Sequence, residues 1–134
     1  MPRPVHFEIH AGDPERAAAF YTNVFGWKFE RWGDAPYWVI TTGEGSDTES
    51  NGIDGGLVPR QGPAPEAAAP VHGFVNTIDV PDLDHALGEV NRAGGTLALP
   101  KSPVPGVGWL AYCKDTEGNI FGMLQPDENA PAPG

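Results

Sequence analysis

Three polar side chains alternate near the start of the chain: His6, Glu8 and His10. An imidazole beside a carboxylate can ligate a divalent metal or work as an acid–base pair. In a strand, alternate residues share a face, so these three lie together and Val5, Phe7 and Ile9 oppose them. The apolar set is expected to meet a helix, which leaves His6 and Glu8 as candidate catalytic residues and His6 as a candidate metal ligand. The plainer reading is a hydrogen-bonded pair on the polar floor of a cleft. Cys113 is the single cysteine, with no histidine near it in the chain, and reads as a buried structural thiol. One cysteine also excludes an internal disulfide and a multi-cysteine zinc site. His72 and His85 look peripheral, the first ending a linker and the second sitting in the first turn of a helix.

Aromatic side chains form a second group with chemical use. Tyr37 and Trp38 fall on one strand-like run, Trp109 and Tyr112 on another. Parity sets Trp38 and Ile40 against Tyr37 and Val39, and Trp109, Ala111 and Cys113 against Leu110 and Tyr112. Rings on a cleft wall stack on flat or apolar ligands, whereas rings on the other face are ordinary core. The sequence alone leaves both parities open. Trp38 and Trp109 are carried as candidate ligand-binding residues, with Val75, Thr77, Gly122 and Leu124. The Gly106-Val107-Gly108 run has no helix after it and is no phosphate cradle. The Pro103–Gly108 loop is a candidate lid over the cleft.

These residues need elements to hold them. Asp13 is suited to cap a helix with Pro14 in its first turn, and Gly26 to stop it. Ala17, Phe20, Tyr21 and Val24 recur at helical spacing and mark its apolar face. A second helix starts at Asp82, carries Leu83, Ala86, Leu87 and Val90, and stops at Gly94-Gly95. Shifted by 69 positions, the first pattern falls on the second: Asp13 on Asp82, Ala17 on Ala86, Tyr21 on Val90. Strand-like runs precede both helices, at Val5–His10 and Phe74–Asp79. More follow each: Trp27–Arg31, Tyr37–Thr42 and Ile53–Val58, then Thr96–Leu99, Trp109–Lys114 and Ile120–Gln125. The expected class is α+β, with two βαβββ modules forming a curved mixed sheet around a cleft. The boundaries are module 1 over 4–58, a Pro/Ala-rich linker over 59–70, module 2 over 71–126, and a flexible tail over 127–134. The acidic Gly43–Gly52 loop reads as solvated.

Composition narrows the functions. Eight Lys and Arg against 18 Asp and Glu give a net charge of −10, which disfavours nucleic acid as a partner. No apolar run approaches the ~20 residues of a membrane helix. No apolar leader follows Met1, so a soluble cytoplasmic protein is expected. The 18 Gly and 15 Pro have no collagen-like period and imply many short elements with many turns.

The runs Val5–Ile9, Gly12–Ala17, Phe20-Tyr21 and Val24–Trp27, with Lys114–Gly122, resemble the vicinal oxygen chelate superfamily. That group includes glyoxalase I, bleomycin-resistance proteins and extradiol dioxygenases, and the resemblance spans about residues 4 to 126. It implies a divalent metal held by a pair of side chains from each module. Carried onto this chain, the four positions fall on His6, Gly55 or Gly56, Val75 and Gly122. Only His6 is a ligand type. A shift of one residue brings in Asp54 or Asn76 without completing a set. Three functions therefore stand. One is binding of a small organic molecule in the inter-module cleft, whose acidity favours cationic ligands. Another is a lyase, isomerase or dioxygenase using His6 and Glu8, with or without a metal. The third is a ligand-sensing interaction domain. The resemblance also implies a homodimer.

Overall fold

The computed structural model describes residues 2–43 and 52–132. The tip of the acidic loop, 44–51, and the last two residues lie outside the described residues. The elements run β1 (Pro4–Ala11), α1 (Pro14–Phe25), β2 (Lys28–Arg31), β3 (Trp38–Thr41) and β4 (Asp54–Pro59). The pattern then repeats as β5 (Val75–Asp79), α2 (Leu83–Arg92), β6 (Thr96–Val104), β7 (Gly108–Lys114) and β8 (Ile120–Pro126). The chain divides into two compact units, one of residues 6–74 and the other of residues 1–5 with 75–134. Each half is βαβββ, as the repeat requires.

In the first half the strand order is β2-β3-β4-β1, with β1 parallel to β4 and the other pairs antiparallel. The second half follows the same plan as β5-β8-β7-β6, with β5 parallel to β8. Both helices begin the same way. The Asp13 carboxylate accepts from the Arg16 N–H at 3.1 Å, and Asp82 accepts from the His85 N–H at 3.1 Å. Each side chain satisfies one of the helix's unpaired N–H groups. Gly26 closes α1 in the left-handed region at φ 76°, its N–H donating to the Thr22 carbonyl.

Each helix covers one face of its own sheet. In the first half Phe7, Ile9, Ala11, Ile40 and Leu57 form the buried core, packed by Ala17, Ala18, Tyr21 and Trp38. In the second, Val80, Leu83, Ala111, Cys113 and Met123 do the same, packed by Ala86, Leu87, Val90 and Trp109. Alternation then sends the remaining side chains of each strand to the face without a helix.

Four expectations change. The apolar face of α1 is rotated from the expected one: Ala17, Ala18 and Tyr21 pack inward, while Phe20, Val24 and Phe25 are exposed. The Pro103–Gly108 run is no lid, because Pro103 pairs with Trp109 and Val104 with Gly108 across a tight turn. Proline at 100 and 103 suggests an end to the strand after Leu99. As the last strand of its half, however, β6 tolerates both: Pro100 falls in the register shift between Leu99 and Ser102, and Pro103 pairs with Trp109. The tail is also held. The Asp127 N–H donates to Val107, the Gly106 N–H donates to Ala130, and Ala130 is buried.

Candidate functional site

The parity left open by the sequence is settled by the cores. Ile40 and Leu57 are fully buried under α1, which puts Trp38 on that side and Tyr37 on the other. Trp109 likewise packs with the second core, and its indole N–H donates to Asp127 at 3.2 Å. Both tryptophans thus stand on the helix-covered faces, away from the faces that carry the other candidates. Each also meets a cation, Arg31 over Trp38 and Lys101 over Trp109.

On the open face of the first half, His6, Glu8 and Tyr37 come together. The Tyr37 hydroxyl lies 3.3 Å from His6 Nε2. It reaches that point across Gly56, the strand partner of Glu8. A Cβ on Gly56 would overlap the Tyr37 hydroxyl and ring, so the glycine is what lets the phenol lie against the sheet. The adjacent Gly55 faces the core instead, where a Cβ would meet the Phe7 ring and carbonyl at 2.6 Å. Asp54 pairs with His6 in register and accepts from the Thr42 N–H at 2.9 Å. His10 Nε2 sits 2.8 Å from Glu8 Oε1, an ion-pair distance lacking the direction of a hydrogen bond, so the ring nitrogen stays without a directional partner.

The electrostatics follow from partial burial. Burial lowers the His6 pKa from its ordinary value, against the opposing pull of Glu8 and Asp54. Burial, then the Glu8 charge, raises that of Tyr37. The pair is therefore a neutral imidazole beside a protonated phenol at neutral pH, with carboxylates nearby. A neutral imidazole of this kind can accept a proton or a donor group.

In the second half, Val75 and Thr77 alternate onto one face of β5. Gly122 pairs with Thr77 in β8, and Leu124 pairs with Leu110. Thr77 Oγ1, Tyr112 and Leu110 close around Gly122, at 3.1, 3.4 and 3.6 Å from the place of a Cβ. Val75, Thr77, Gly122 and Leu124 thus share one face of their sheet. Cys113 is fully buried on the opposite face, and burial pushes its thiol pKa up. Such a thiol is a poor nucleophile.

Taken one by one, the four positions that the resemblance marks for metal ligands offer few donors. His6 offers one imidazole. The space beside Gly56 is taken by the Tyr37 phenol, Gly122 is closed in by Thr77 and Tyr112, and Val75 has only an alkyl group. Among the described residues, no three His, Cys, Asp or Glu gather closely enough to hold an ion. Tyr37, which meets His6 on the open face, is the residue that sequence reasoning passed over in favour of Trp38. The sequence held no deciding signal, because Val39 on the Tyr37 parity is as apolar as Ile40, and only their burial, Ile40 within the core and Val39 exposed, tells the faces apart.

Comparison with known proteins agrees with the fold. Residues 3–123 match the model of the Glyoxalase/Bleomycin resistance protein/Dioxygenase superfamily. A glyoxylase-like domain-containing protein of Didymella fabae is 34% identical over 118 residues, covering 87% of this chain and 88% of that protein. The lactoylglutathione lyase of Salmonella typhimurium is 28% identical over 127 residues, 92% of each chain. Among solved structures, a superfamily member from Vibrio splendidus superposes with a TM-score of 0.62 at 18% identity, covering 95% of this chain and 100% of that one. Methylmalonyl-CoA epimerase from Mycobacterium tuberculosis gives 0.60 at 16% identity, covering 92% and 87%. With the βαβββ repeat and the residues matched, the chain belongs to the glyoxalase/bleomycin resistance protein/dioxygenase superfamily.

Proposed function

We propose that this chain binds a small organic molecule on the open sheet face that carries His6, Glu8 and Tyr37, using its own side chains rather than the family's metal set. The observation that carries the reading is the Tyr37 hydroxyl against His6 Nε2, in the space that Gly56 leaves free. A ring now stands beside the position at which metal-binding relatives place a carboxylate. Glu8 and Asp54 give the face a negative field, which favours a neutral or cationic ligand with hydrogen-bond donors over an anion. Val39, exposed two residues from Tyr37 on the same face, offers apolar contact for the body of such a molecule.

A second reading has one observation in its favour. A neutral His6 bonded to a tyrosine is competent as a general base, as a lyase or isomerase would need. An assay of the lyase activity named for the Salmonella relative, on the wild type and on His6→Ala, separates turnover from binding alone.

The binding reading is tested by NMR with three fragments of matched size: an aryl amine, an aryl amide and an aryl carboxylate. The amine and amide are expected to shift the His6 ring signals and to lose that effect in Tyr37→Phe. A carboxylate preference, or shifts confined to other parts of the chain, overturns the reading.

A further inference from the structure

The helix-covered side of the first half holds an open cavity of about 460 Å³ that the His6 face does not use. One wall is apolar: Ile9 from β1 and Ala17, Phe20 and Tyr21 from α1. Phe20 is 56% exposed, and its ring meets Tyr21 edge-on at 5.1 Å, leaving an aromatic corner open to solvent. The other wall is cationic, with Arg16 from α1 and Arg60 from just beyond β4.

Arg60 is the unusual member. It is half-buried, and its guanidinium donates to the His10 carbonyl at 3.1 Å. That bond holds the group in place without neutralising it. No carboxylate among the described residues pairs with it at salt-bridge distance. In a chain with 18 acidic residues, a guanidinium held beside a cavity with no carboxylate among the described residues at salt-bridge distance is free to pair with an anionic ligand. Asp13 also lines the cavity, but its carboxylate caps α1 and lies 4.0 Å from Arg16. Two guanidinia against one engaged carboxylate leave a net positive wall.

The geometry points to a second binding site here, for a small aromatic carboxylate. Its acid group would pair with Arg60 and Arg16 and its ring would fill the Phe20–Tyr21 corner. Guanidinium groups suit carboxylates because two parallel N–H bonds match two oxygens. The exposed phenylalanine supplies apolar contact that a purely inorganic anion would leave unused. This site lies on the other side of the sheet from the one proposed above and prefers the opposite charge, although His10, which also lines the cavity, sits 2.8 Å from Glu8 of that face.

The test uses 2-naphthoate as the probe, followed by calorimetry and by NMR of the Phe20 and Tyr21 rings. Naphthalene-2-methanol and 2-(aminomethyl)naphthalene serve as neutral and cationic controls. The expected result is saturable binding of the naphthoate with both ring signals shifted, and much weaker binding of the controls. Arg60→Gln is expected to weaken binding by roughly tenfold or more, as loss of a charged hydrogen-bond donor does. Arg16→Gln, at a largely exposed position, is expected to weaken it as well. Tyr37→Phe should leave the affinity unchanged, which separates this site from the His6 face. Equal affinity for all three probes, or naphthoate binding that survives both arginine substitutions, overturns the proposal.

Discussion

The His6–Tyr37 pair sets the chemistry of the open face through protonation. Burial and the Glu8 charge keep the phenol protonated, and the direction of its bond to Nε2 follows the imidazole tautomer: donation by the phenol requires the ring proton on Nδ1. In ¹⁵N NMR, His6 should show the Nδ1–H tautomer and a titration midpoint below its ordinary 6.5. Tyr37→Phe removes a donor that favours the neutral ring, so the midpoint should move upward. The same shift has a consequence for stability. Below pH 6.5 the unfolded chain takes up the His6 proton before the folded one does. The contribution is present in full above 6.5 and is lost as pH falls through the folded midpoint. A thermal midpoint that stays flat across that window, or a midpoint for His6 above 6.5, contradicts this assignment.

At the scale of elements, two neighbouring glycines on β4 do different work. Gly55 meets Phe7, including its carbonyl, and backbone cannot move aside; Gly56 meets the far end of the Tyr37 side chain, which can swing away. Gly55→Ala should therefore cost about 1–3 kcal/mol in chemical denaturation, as overpacking of a core does. Gly56→Ala should cost less but break the His6–Tyr37 bond, returning the His6 midpoint toward 6.5. A larger loss of stability in Gly56→Ala than in Gly55→Ala would reverse this order. Much of this level was legible in the sequence. The two Asp caps, the Gly26 stop and the alternation in β1 are local signals, and each reports on its own neighbours. The rotation of α1 was not legible, because Phe20, Val24 and Tyr21 fit a helical stripe equally well and only packing chooses among them. Nor was the full length of β6, since its position at the end of the strand order is what makes its prolines tolerable.

For the whole molecule, duplication is the organising fact, and a repeat spaced by 69 residues made it readable before any coordinates. The two copies keep the scaffold and diverge on their open faces: His6 and Glu8 in one correspond to Val75 and Thr77 in the other. Superfamily membership was legible in the runs Val5–Ile9, Gly12–Ala17 and Lys114–Gly122, all within the residues that match the family model. The candidate site was legible only in part. His6 and Glu8 stood out by type, while Tyr37 and Arg60 gained meaning from neighbours distant in sequence. The net charge of −10 conceals this local variety, with an acidic field at His6 and, at Arg60, a guanidinium with no carboxylate among the described residues at salt-bridge distance. The central proposal is that Tyr37, lying across Gly56, makes a polar face of side chains where the resemblance implies a metal. Titration of chelator-treated protein with Ni²⁺, Zn²⁺, Mn²⁺ and Fe²⁺, read by elemental analysis after gel filtration, tests it most directly. The account predicts substoichiometric metal that does not change in His6→Ala; one tightly held ion per chain that disappears in His6→Ala would contradict it.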